Sequence, residues 1–318
     1  MDPAILVIRG GALGDFILTV PVLTALRRVF PGGRLEVLAG ARFTPLAAAA
    51  GLAESVHAID SPQLAGLFAP NGSCPAEIAQ YFSQFGRIIS YLYDSDKLFQ
   101  TNVAHCSNAR FIAGPHQPGQ FPNLHATETL LRPLETLGIS NADSVPMLQL
   151  PRPPARRLPA GRWLAAHPGS GSERKNWPQE NWFELARRLM DRTQWRLLLI
   201  GGEAEGDRVT RLGARLPSER ARVAQNWPLA QLAECMQECE AFIGHDSGIT
   251  HLAAAVGLPG LVLWGDTIER VWRPKSDKMK LVRSAAGIGQ LEVETVFEEL
   301  QQLLQSLPSY IRAHILLN

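Results

Sequence analysis

The sequence predicts an α/β protein of two Rossmann-like domains that face each other across a cleft. Short apolar runs alternate with longer segments of helical periodicity, which is typical of parallel strands connected by helices. A proline-rich stretch interrupts this alternation near the middle of the 318 residues, and the alternation begins again after it. We therefore expect an N-terminal domain at 1–150 and a C-terminal domain at 151–318.

The predicted elements of the first domain follow from its short apolar runs, which are typical of strands buried in a parallel sheet. Strands are expected at 4–8, 35–38, 56–59, 88–92 and 110–113. Helices are expected at 16–30 and at 123–137. Residues 150–161 read LPRPPARRLPAG, which suits neither a helix nor a central strand, so this segment is predicted to be the linker.

The second domain repeats the alternation. Strands are expected at 163–167, 196–200, 221–223, 241–243 and 261–264. Helices are expected at 179–191, 205–216, 229–239, 248–256 and 293–306. Because open parallel sheets bind ligands at the carboxyl ends of their strands, the functional motifs are expected in the loops that follow the strands.

Composition and charge limit the function classes. Hydrophobic residues make up 46% and charged residues 19%, and the formal net charge is +1, so no overall field attracts a polyanion such as nucleic acid. Residues 1–150 carry 9 basic and 11 acidic side chains, whereas 151–318 carry 22 and 19. An anionic ligand is therefore expected on the second half.

The four cysteines show neither the spacing of a secreted framework nor a CxxC motif, which favours a cytoplasmic location. Cys235 and Cys239 are expected to pack in the core, with half of a metal site as the alternative. The apolar runs are far shorter than the roughly 20 residues that span a bilayer. The apolar tail at 310–317 is expected to pack on the first domain, with peripheral contact to a membrane as the alternative.

The first motif, RGGALGD from Arg9 to Asp15, lies between the first predicted strand and the first helix. Gly11 and Gly14 allow a tight turn and the approach of a ligand to the helix N-terminus, where free N–H groups favour negative charge. A dinucleotide fingerprint needs a glycine where Arg9 stands, so that pattern fails. Asp15 is either the N-cap of a helix that begins at Phe16 or a catalytic carboxylate.

The second motif, HPGSGSERKNWP at 167–178, follows the first strand of the second domain. Its glycines and serines expose N–H and hydroxyl donors, and Lys175 and Arg174 add positive charge, which together suit a phosphate or pyrophosphate. A P-loop is absent, and a solvated polar loop is the alternative.

The third motif, FIGHDSGITHLAAA at 242–255, again joins a strand, a tight turn and a helix start. Asp246 or Ser247 is expected to cap the helix, and the N–H groups at 247–249 form a further anion cradle. His251 taken alone is more typical of a structural histidine.

Two acidic segments follow other predicted strands. In GGEAE at 201–205, Glu203 or Glu205 either accepts hydrogen bonds from ribose hydroxyls or is a surface acid at a helix N-terminus. DSD at 94–96 is a weak match to a metal-binding D-x-D motif. No nucleophile elbow and no H-E-x-x-H motif is present.

The three motifs, in this order and separation, resemble the lipopolysaccharide heptosyltransferases of glycosyltransferase family 9. The resemblance rests on GDFILTVPVLTAL at 14–26, on HPGS and K-x-W-P within 167–178, and on G-x-D-S-G-x-x-H-L-A at 244–253, and it extends over nearly the whole chain. It implies a glycosyltransferase-B fold, in which the domain at 1–150 binds the acceptor, the domain at 151–318 binds the nucleotide sugar, and the last helix packs back on the N-terminal domain. It also implies inverting transfer of heptose from ADP-heptose to a hydroxyl of the lipopolysaccharide core or a related envelope glycan, without a metal or another cofactor.

The resemblance further implies roles for individual residues. Asp15, next to the loop of Gly11 and Gly14, is the implied general base that deprotonates the acceptor hydroxyl. The implied donor site comprises Ser170, Gly171 and Lys175 at the phosphates, Glu203 or Glu205 at the nucleoside, and Asp246, Ser247, Gly248 and His251 around phosphate and sugar. Lys175 and the helix dipole would then carry the charge of departing ADP.

The acceptor and the reaction stay open at this stage. YDSDK at 93–97 stands where a more basic, acceptor-facing loop is expected. A nucleotide-sugar epimerase or hydrolase on the same fold would need no acceptor, and a non-catalytic sugar-nucleotide binding protein would not need Asp15. The expected partners are an ADP-sugar donor and a glycolipid or oligosaccharide acceptor, without nucleic acid. A cytoplasmic location is expected, with peripheral contact to the cytoplasmic face of the inner membrane as its finer form; the oligomeric state is not predicted.

Overall fold

The computed structural model describes residues 3–70, 72, 74–151 and 157–307, which form two compact units. Unit 1 contains the described residues up to 151 together with Pro228–Ala233 and Ile268–Lys275 from the second half of the chain. Unit 2 contains the other described residues from 157 onward. Part of the predicted linker and the whole apolar tail at 310–317 lie outside the described residues.

Unit 1 is built on an open sheet of five parallel strands. The strands are β1 (Ile5–Arg9), β2 (Leu35–Ala39), β3 (Ser55–Ala58), β4 (Arg87–Ser90) and β5 (Arg110–Ala113). The helices that connect and follow them are α1 (Leu13–Val29), α2 (Thr44–Ala49), α3 (Ala76–Ser83), α4 (Leu98–Ala104) and α5 (Ala126–Leu131). The strand order is β3-β2-β1-β4-β5, so the order reverses between β1 and β4.

The second half of the chain forms an open sheet of six parallel strands. The strands are β6 (Trp163–His167), β7 (Arg196–Gly201), β8 (Ala221–Gln225), β9 (Ala241–His245), β10 (Gly260–Leu263) and β11 (Met279–Val282). The helices are α6 (Gln179–Arg192), α7 (Arg208–Ala214), α8 (Leu229–Gln237), α9 (Gly248–Ala255), α10 (Glu269–Trp272) and α11 (Val293–Ser306). The order β11-β10-β9-β6-β7-β8 reverses between β6 and β9.

Burial explains why the strands read as continuous apolar runs. Every residue of β1, β2, β6 and β9 is buried, because helices cover both faces of a parallel sheet. In unit 2, α11 adds Val296, Phe297, Leu300 and Leu304 to the core, which confirms the amphipathic helix predicted at 293–306. The two open parallel-sheet units confirm the predicted α/β class.

Several predicted elements need correction. The single helix expected at 123–137 is α5 followed by a 3-10 turn at Arg132–Leu137, because Pro133 has no N–H to continue the α-helical pattern. The helix expected at 205–216 begins only with α7, because Glu205 turns back to accept from the N–H of Gly202 at 2.7 Å and closes a short turn. Helices α2 to α4, helix α10 and strand β11 were not predicted.

The assignment of Ile268–Lys275 to unit 1 was also not predicted, because a domain boundary drawn at one point of the sequence assumes that each domain is continuous. The last described helix, α11, packs in the core of unit 2. The return of the last helix to the N-terminal domain stays a prediction, because residues beyond 307 lie outside the described part of the chain.

Candidate functional site

Unit 1 has a cavity of about 770 Å³ at the point where β1 and β4 end side by side. The strand order reverses there, and open parallel sheets bind ligands at such a switch point. The lining comes from residues within 9–15, 91–93 and 116–120 and from Trp272. The first sequence motif therefore lies at a candidate binding site, as the position of its strand end predicts.

Asp15 is one of the residues that line this cavity, and its carboxylate is held from two sides. The Nη2 atom of Arg9 donates to Oδ1 at 2.8 Å, and the N–H of Ala12 donates to Oδ2 at 2.8 Å. The expectation that Asp15 is the N-cap of a helix beginning at Phe16 is wrong, because α1 begins at Leu13. Asp15 instead occupies the third position of the helix, from which its carboxylate reaches back to the N-cap N–H. The side chain is 29% exposed, so the capping contact leaves the carboxylate accessible.

Arg9 was not predicted to be a site residue; in the sequence it stood out only because it occupies a position where a dinucleotide fingerprint needs a glycine. It ends β1, is 2% exposed and donates through Nη1 to the carbonyl oxygens of Tyr91 and His116, both at 3.2 Å. Burial lowers the pKa of this guanidinium, and the charge of Asp15 opposes that effect. An arginine at the end of a buried strand is the signal that could have marked it, because such a cation needs a partner.

Gly11 has a conformational and a steric reason to be glycine. Its φ is +93°, and a Cβ at this position would lie 2.5 Å from Oδ2 of Asp15. Gly14 lies in the first turn of α1 and is not among the described residues that line the cavity. Of the two glycines expected at the ligand, only Gly11 is thus a lining residue.

Three loops of unit 2 meet at one edge of its sheet. Strands β6, β7 and β9 are neighbours, and they end at His167, Gly201 and His245. The second and third motifs follow β6 and β9, the two strands between which the order reverses. The sheet therefore brings the predicted phosphate loop and the predicted anion cradle to its switch point.

The loop after β6 is shaped by Ser170. The hydroxyl is buried, lies 2.8 Å from both the carbonyl oxygen of Ser172 and Oδ1 of Asn176, and accepts from the N–H of Ser172 at 3.2 Å. Ser170 thus organises the loop from inside, whereas it was expected to expose its hydroxyl to a phosphate. Gly171 is exposed and has open space where a side chain would stand, so its backbone is accessible.

Lys175 and Asp246 form an ion pair between the second and third motifs. The distance from Nζ to Oδ2 is 2.6 Å, and the side chains are 34% and 8% exposed respectively. The buried carboxylate fixes the more exposed ammonium, which has three N–H donors and directs only one of them at Asp246. Both residues are implied members of the donor site, and the ion pair shows that Asp246 holds the ammonium group of Lys175 in place.

Ser247 caps the N-terminus of α9, which confirms one of the two predicted caps, Ser247 rather than Asp246. Its Oγ accepts from the N–H of Thr250 at 3.4 Å and lies 3.2 Å from Nδ1 of His167. Gly248 is the first residue of α9, and the first turn of a helix has N–H groups without partners inside the helix. These N–H groups follow Asp246 directly in sequence, so they lie at the same edge of the sheet as the ion pair of Asp246 and Lys175. His251 is buried within α9, which agrees with a structural histidine.

His245 is a buried residue that sequence reasoning did not single out. Its Nε2 accepts from the N–H of Trp177 at 2.9 Å and from Nε1 of Trp182 at 3.4 Å, and Nδ1 lies 3.1 Å from the carbonyl oxygen of Gly169. These partners require a neutral ring with the proton on Nδ1. Burial lowers the pKa of His245 to about 3. One imidazole therefore ties the end of β9 to both ends of the loop after β6.

The structure separates the two glutamates at 203 and 205. Glu205 is buried, accepts from the N–H of Gly202 and lies 3.6 Å from Nε2 of His167, and its pKa is lowered although burial alone would raise it. A Cβ on Gly169 would lie 2.1 Å from its side chain. Glu203 is exposed at the same sheet edge. Glu203 is therefore the better placed of the two for a nucleoside.

Two other candidate sites find structural explanations. Both carboxylate oxygens of Asp94 accept backbone N–H groups, from Phe99 and Gln100 at 2.9 Å, so Asp94 stabilises the start of α4. Cys239 donates to the carbonyl oxygen of Cys235 within the core. Within the described part of the chain, no group of three His, Cys, Asp or Glu side chains is arranged to hold a metal ion.

The fold and the two sites define an α/β protein with polar ligand loops at the switch points of both sheets. The model of glycosyltransferase family 9 (heptosyltransferase) matches residues 123–300, more than half of the chain. The chain therefore belongs to this family of glycosyltransferases, which confirms the resemblance seen in the sequence. The matched range contains the three loops of unit 2 and does not include Asp15.

Individual relatives agree with this assignment. Lipopolysaccharide heptosyltransferase 1 of Pseudomonas aeruginosa is 37% identical over 109 residues, which are 34% of this chain and 30% of that protein. The match thus spans about a third of the curated relative. The structure of E. coli ADP-heptose lipopolysaccharide heptosyltransferase II is similar, with a TM-score of 0.73 at 19% identity over 95% of this chain and 98% of that one.

A second solved structure, E. coli heptosyltransferase WaaC with ADP-2-deoxy-2-fluoro heptose, gives a TM-score of 0.66 at 19% identity, covering 94% of this chain and 99% of that one. At this level of identity the likeness shows that the fold is shared along nearly the whole chain. Among the described helices, none has the length and apolar character needed to cross a bilayer.

Proposed function

We propose that this chain is an inverting, metal-independent heptosyltransferase that moves heptose from ADP-heptose to a hydroxyl of the lipopolysaccharide core or a related envelope glycan. The observation that carries the proposal is the carboxylate of Asp15, which lines the unit 1 cavity and is oriented by Arg9 and by the N–H of Ala12. A positioned, accessible carboxylate suits a general base, because proton transfer requires a fixed hydrogen-bond geometry. The names of the related heptosyltransferases support heptose as the transferred group and ADP as its carrier.

Unit 2 is the proposed donor side. Lys175, the accessible backbone at Gly171 and the first turn of α9 offer positive charge and N–H donors to a diphosphate. Glu203 is the proposed partner of the ribose hydroxyls, since Glu205 is engaged with Gly202 and His167. The proposal keeps the expected cytoplasmic location, with contact at the inner membrane surface as its finer form.

The proposed reaction is a single displacement. Asp15 accepts the proton of the acceptor hydroxyl, whose oxygen attacks the anomeric carbon of the heptose from the face opposite the phosphate. The bond between that carbon and the phosphate oxygen breaks, so the configuration at the anomeric carbon inverts and ADP leaves. Lys175 and the α9 N–H groups stabilise the negative charge on ADP, which is the task that a divalent cation performs in other transferases.

Ligand-dependent thermal stabilisation tests the donor part. The full-length chain is melted with ADP, UDP, GDP, NAD or ADP-heptose, with EDTA present throughout. A ligand at 100 times its Kd stabilises by about 2.7 kcal/mol, and we expect this effect for ADP and ADP-heptose alone. Stabilisation only by UDP, GDP or NAD would contradict the proposal.

Turnover of ADP-heptose tests the reaction. Release of ADP that requires a glycan acceptor, with inverted configuration in the product by NMR, is the expected result in the presence of EDTA. Release of ADP at the same rate without an acceptor would instead indicate a hydrolase or epimerase. Binding without any turnover, and without an effect of replacing Asp15, would indicate a binding protein.

A further inference from the structure

The charge of the unit 1 cavity sets a limit on the acceptor. Among the described residues that line it, Arg9 is the only Lys or Arg, and Asp15 is the only Asp or Glu. A phosphorylated or carboxylated sugar bound here would meet an accessible carboxylate and would need a free cation to offset the repulsion.

Arg9 does not supply that free cation. Its Nε donates to the carbonyl oxygen of Asp15 at 3.3 Å, Nη1 donates to the carbonyl oxygens of Tyr91 and His116, and Nη2 donates to Oδ1 of Asp15. Four of the five N–H groups of a guanidinium are thereby engaged, and the side chain is 2% exposed. An incoming anion could receive at most one N–H from a cation whose charge is already matched by Asp15.

The walls of the cavity instead offer aromatic surface and uncharged polar groups. Tyr93 is 71% exposed, and the centroid of its ring lies 4.7 Å from that of the His116 ring, with an angle of 61° between the ring planes. Trp272 packs so closely on Gly119 that a Cβ there would lie 3.2 Å from the indole. Such rings present apolar faces, and the apolar C–H face of a sugar ring packs well against them.

The Trp272 wall is fixed to unit 1 although it comes from the second half of the chain. Nε2 of His125 donates to the carbonyl oxygen of Arg273 at 2.8 Å, while Nδ1 of the same ring accepts from the N–H of Thr127. Lys275 pairs with Glu128 at 2.5 Å. These two contacts attach Ile268–Lys275 to the residue before α5 and to the first turn of α5. The indole of Trp272 is therefore a fixed part of the cavity wall.

We infer that the unit 1 cavity takes an uncharged glycosyl group as the acceptor, stacked against Trp272 and Tyr93, and discriminates against acceptors whose accepting sugar is anionic. This inference rests on the proposed function, because it names the substrate class of the site that contains Asp15. Trp272 and Tyr93 are then specificity-determining residues of the acceptor site. The discrimination comes from the accessible carboxylate and from the lack of a free cation among the described residues of the lining.

The test uses 19F NMR of the full chain labelled with 5-fluorotryptophan. Trp272 is the only tryptophan in unit 1, and the Trp272→Phe variant assigns its resonance; unchanged signals from the six other tryptophans show that this variant folds. The probes are methyl α-D-mannopyranoside and the matched uronate, which differs only in carrying a carboxylate at C6. Both are titrated at low ionic strength, so that charge effects are not screened.

We expect the neutral glycoside to shift the Trp272 resonance saturably with a Kd on the order of millimolar, and the uronate to bind at least about tenfold more weakly. The other six resonances should not move. Equal or tighter binding of the uronate, or no shift of Trp272 with the neutral glycoside, would overturn the inference.

A transfer assay separates this inference from the proposed function. With ADP-heptose as donor, Trp272→Ala should raise the KM for a neutral glycan at least about tenfold and leave the Kd for ADP unchanged. If phosphorylated and unphosphorylated forms of one glycan are used equally well, the inference fails and the proposed function stands. If no acceptor is glycosylated but Trp272 still discriminates between the two probes, the proposed function fails and the neutral site stands.

Discussion

His245 is expected to make unit 2 sensitive to acid. Its ring accepts hydrogen bonds from Trp177 and Trp182 through Nε2, and a proton on that atom would remove both acceptor contacts. Burial lowers the pKa to about 3 from the ordinary value of 6.5. Below pH 6.5 the unfolded chain therefore binds a proton that the folded chain does not bind. Stability is fully present above pH 6.5, decreases as the pH falls, and levels off near pH 3.

The magnitude follows from the linkage relation. Well inside this window each pH unit costs about 1.4 kcal/mol, and because the unfolded imidazole is only half protonated at pH 6.5, the loss between pH 6.5 and pH 4.5 is about 2.3 kcal/mol. Carboxylates also titrate in this range, and the His245→Gln variant removes their contribution by comparison, since its amide oxygen replaces Nε2 as an acceptor without titrating. Urea unfolding followed by tryptophan fluorescence suits the measurement, because six of the seven tryptophans lie in unit 2.

The effect of His245 is the difference between the two proteins in how the free energy of unfolding depends on pH. The free energy of unfolding of the unchanged chain should fall more steeply with acid than that of His245→Gln, by about 1.4 kcal/mol per pH unit. Parallel pH profiles between pH 6.5 and pH 4.5 would refute the reasoning, because they would mean that the buried imidazole titrates alike in both states.

Three further predictions concern the loops of unit 2. Replacing Lys175 by Gln should raise the Kd for ADP about tenfold in calorimetry, and an unchanged Kd would exclude its role at the phosphates. Gly169→Ala should lower the free energy of unfolding by about 1–3 kcal/mol, because the new Cβ would collide with Glu205. The control Gly171→Ala places its Cβ in open space and should change the free energy of unfolding by less than about 0.5 kcal/mol. Equal effects of the two substitutions would contradict the packing described. Glu203→Ala should weaken ADP binding, whereas Glu205→Ala should lower the free energy of unfolding by about 1–3 kcal/mol, and weaker ADP binding by Glu205→Ala alone would assign the nucleoside contact to Glu205.

The positions of the ligand loops could be predicted from the sequence, whereas the side-chain contacts within the loops could not. Strands such as β6 were predictable because they are buried on both faces and read as apolar runs, and the rule that ligands bind at strand ends then marked the loops at Asp15 and Lys175. The partners were not predictable, because Arg9, His245 and Trp272 meet their neighbours only through the tertiary fold. Trp272 shows this most clearly, since it reaches unit 1 from a segment far along the chain.

The role of Asp15 as the general base is the central claim, and the transfer rate of Asp15→Asn tests it most directly. Asparagine keeps the size of the side chain and an acceptor for the N–H of Ala12, but it cannot take up the acceptor's proton. The control is Asp94→Asn in the same unit, whose carboxylate stabilises the start of α4. We predict that Asp15→Asn lowers kcat by at least about 100-fold with the Kd for ADP unchanged, while Asp94→Asn keeps its kcat. A kcat for Asp15→Asn within a few-fold of the unchanged chain would contradict the account.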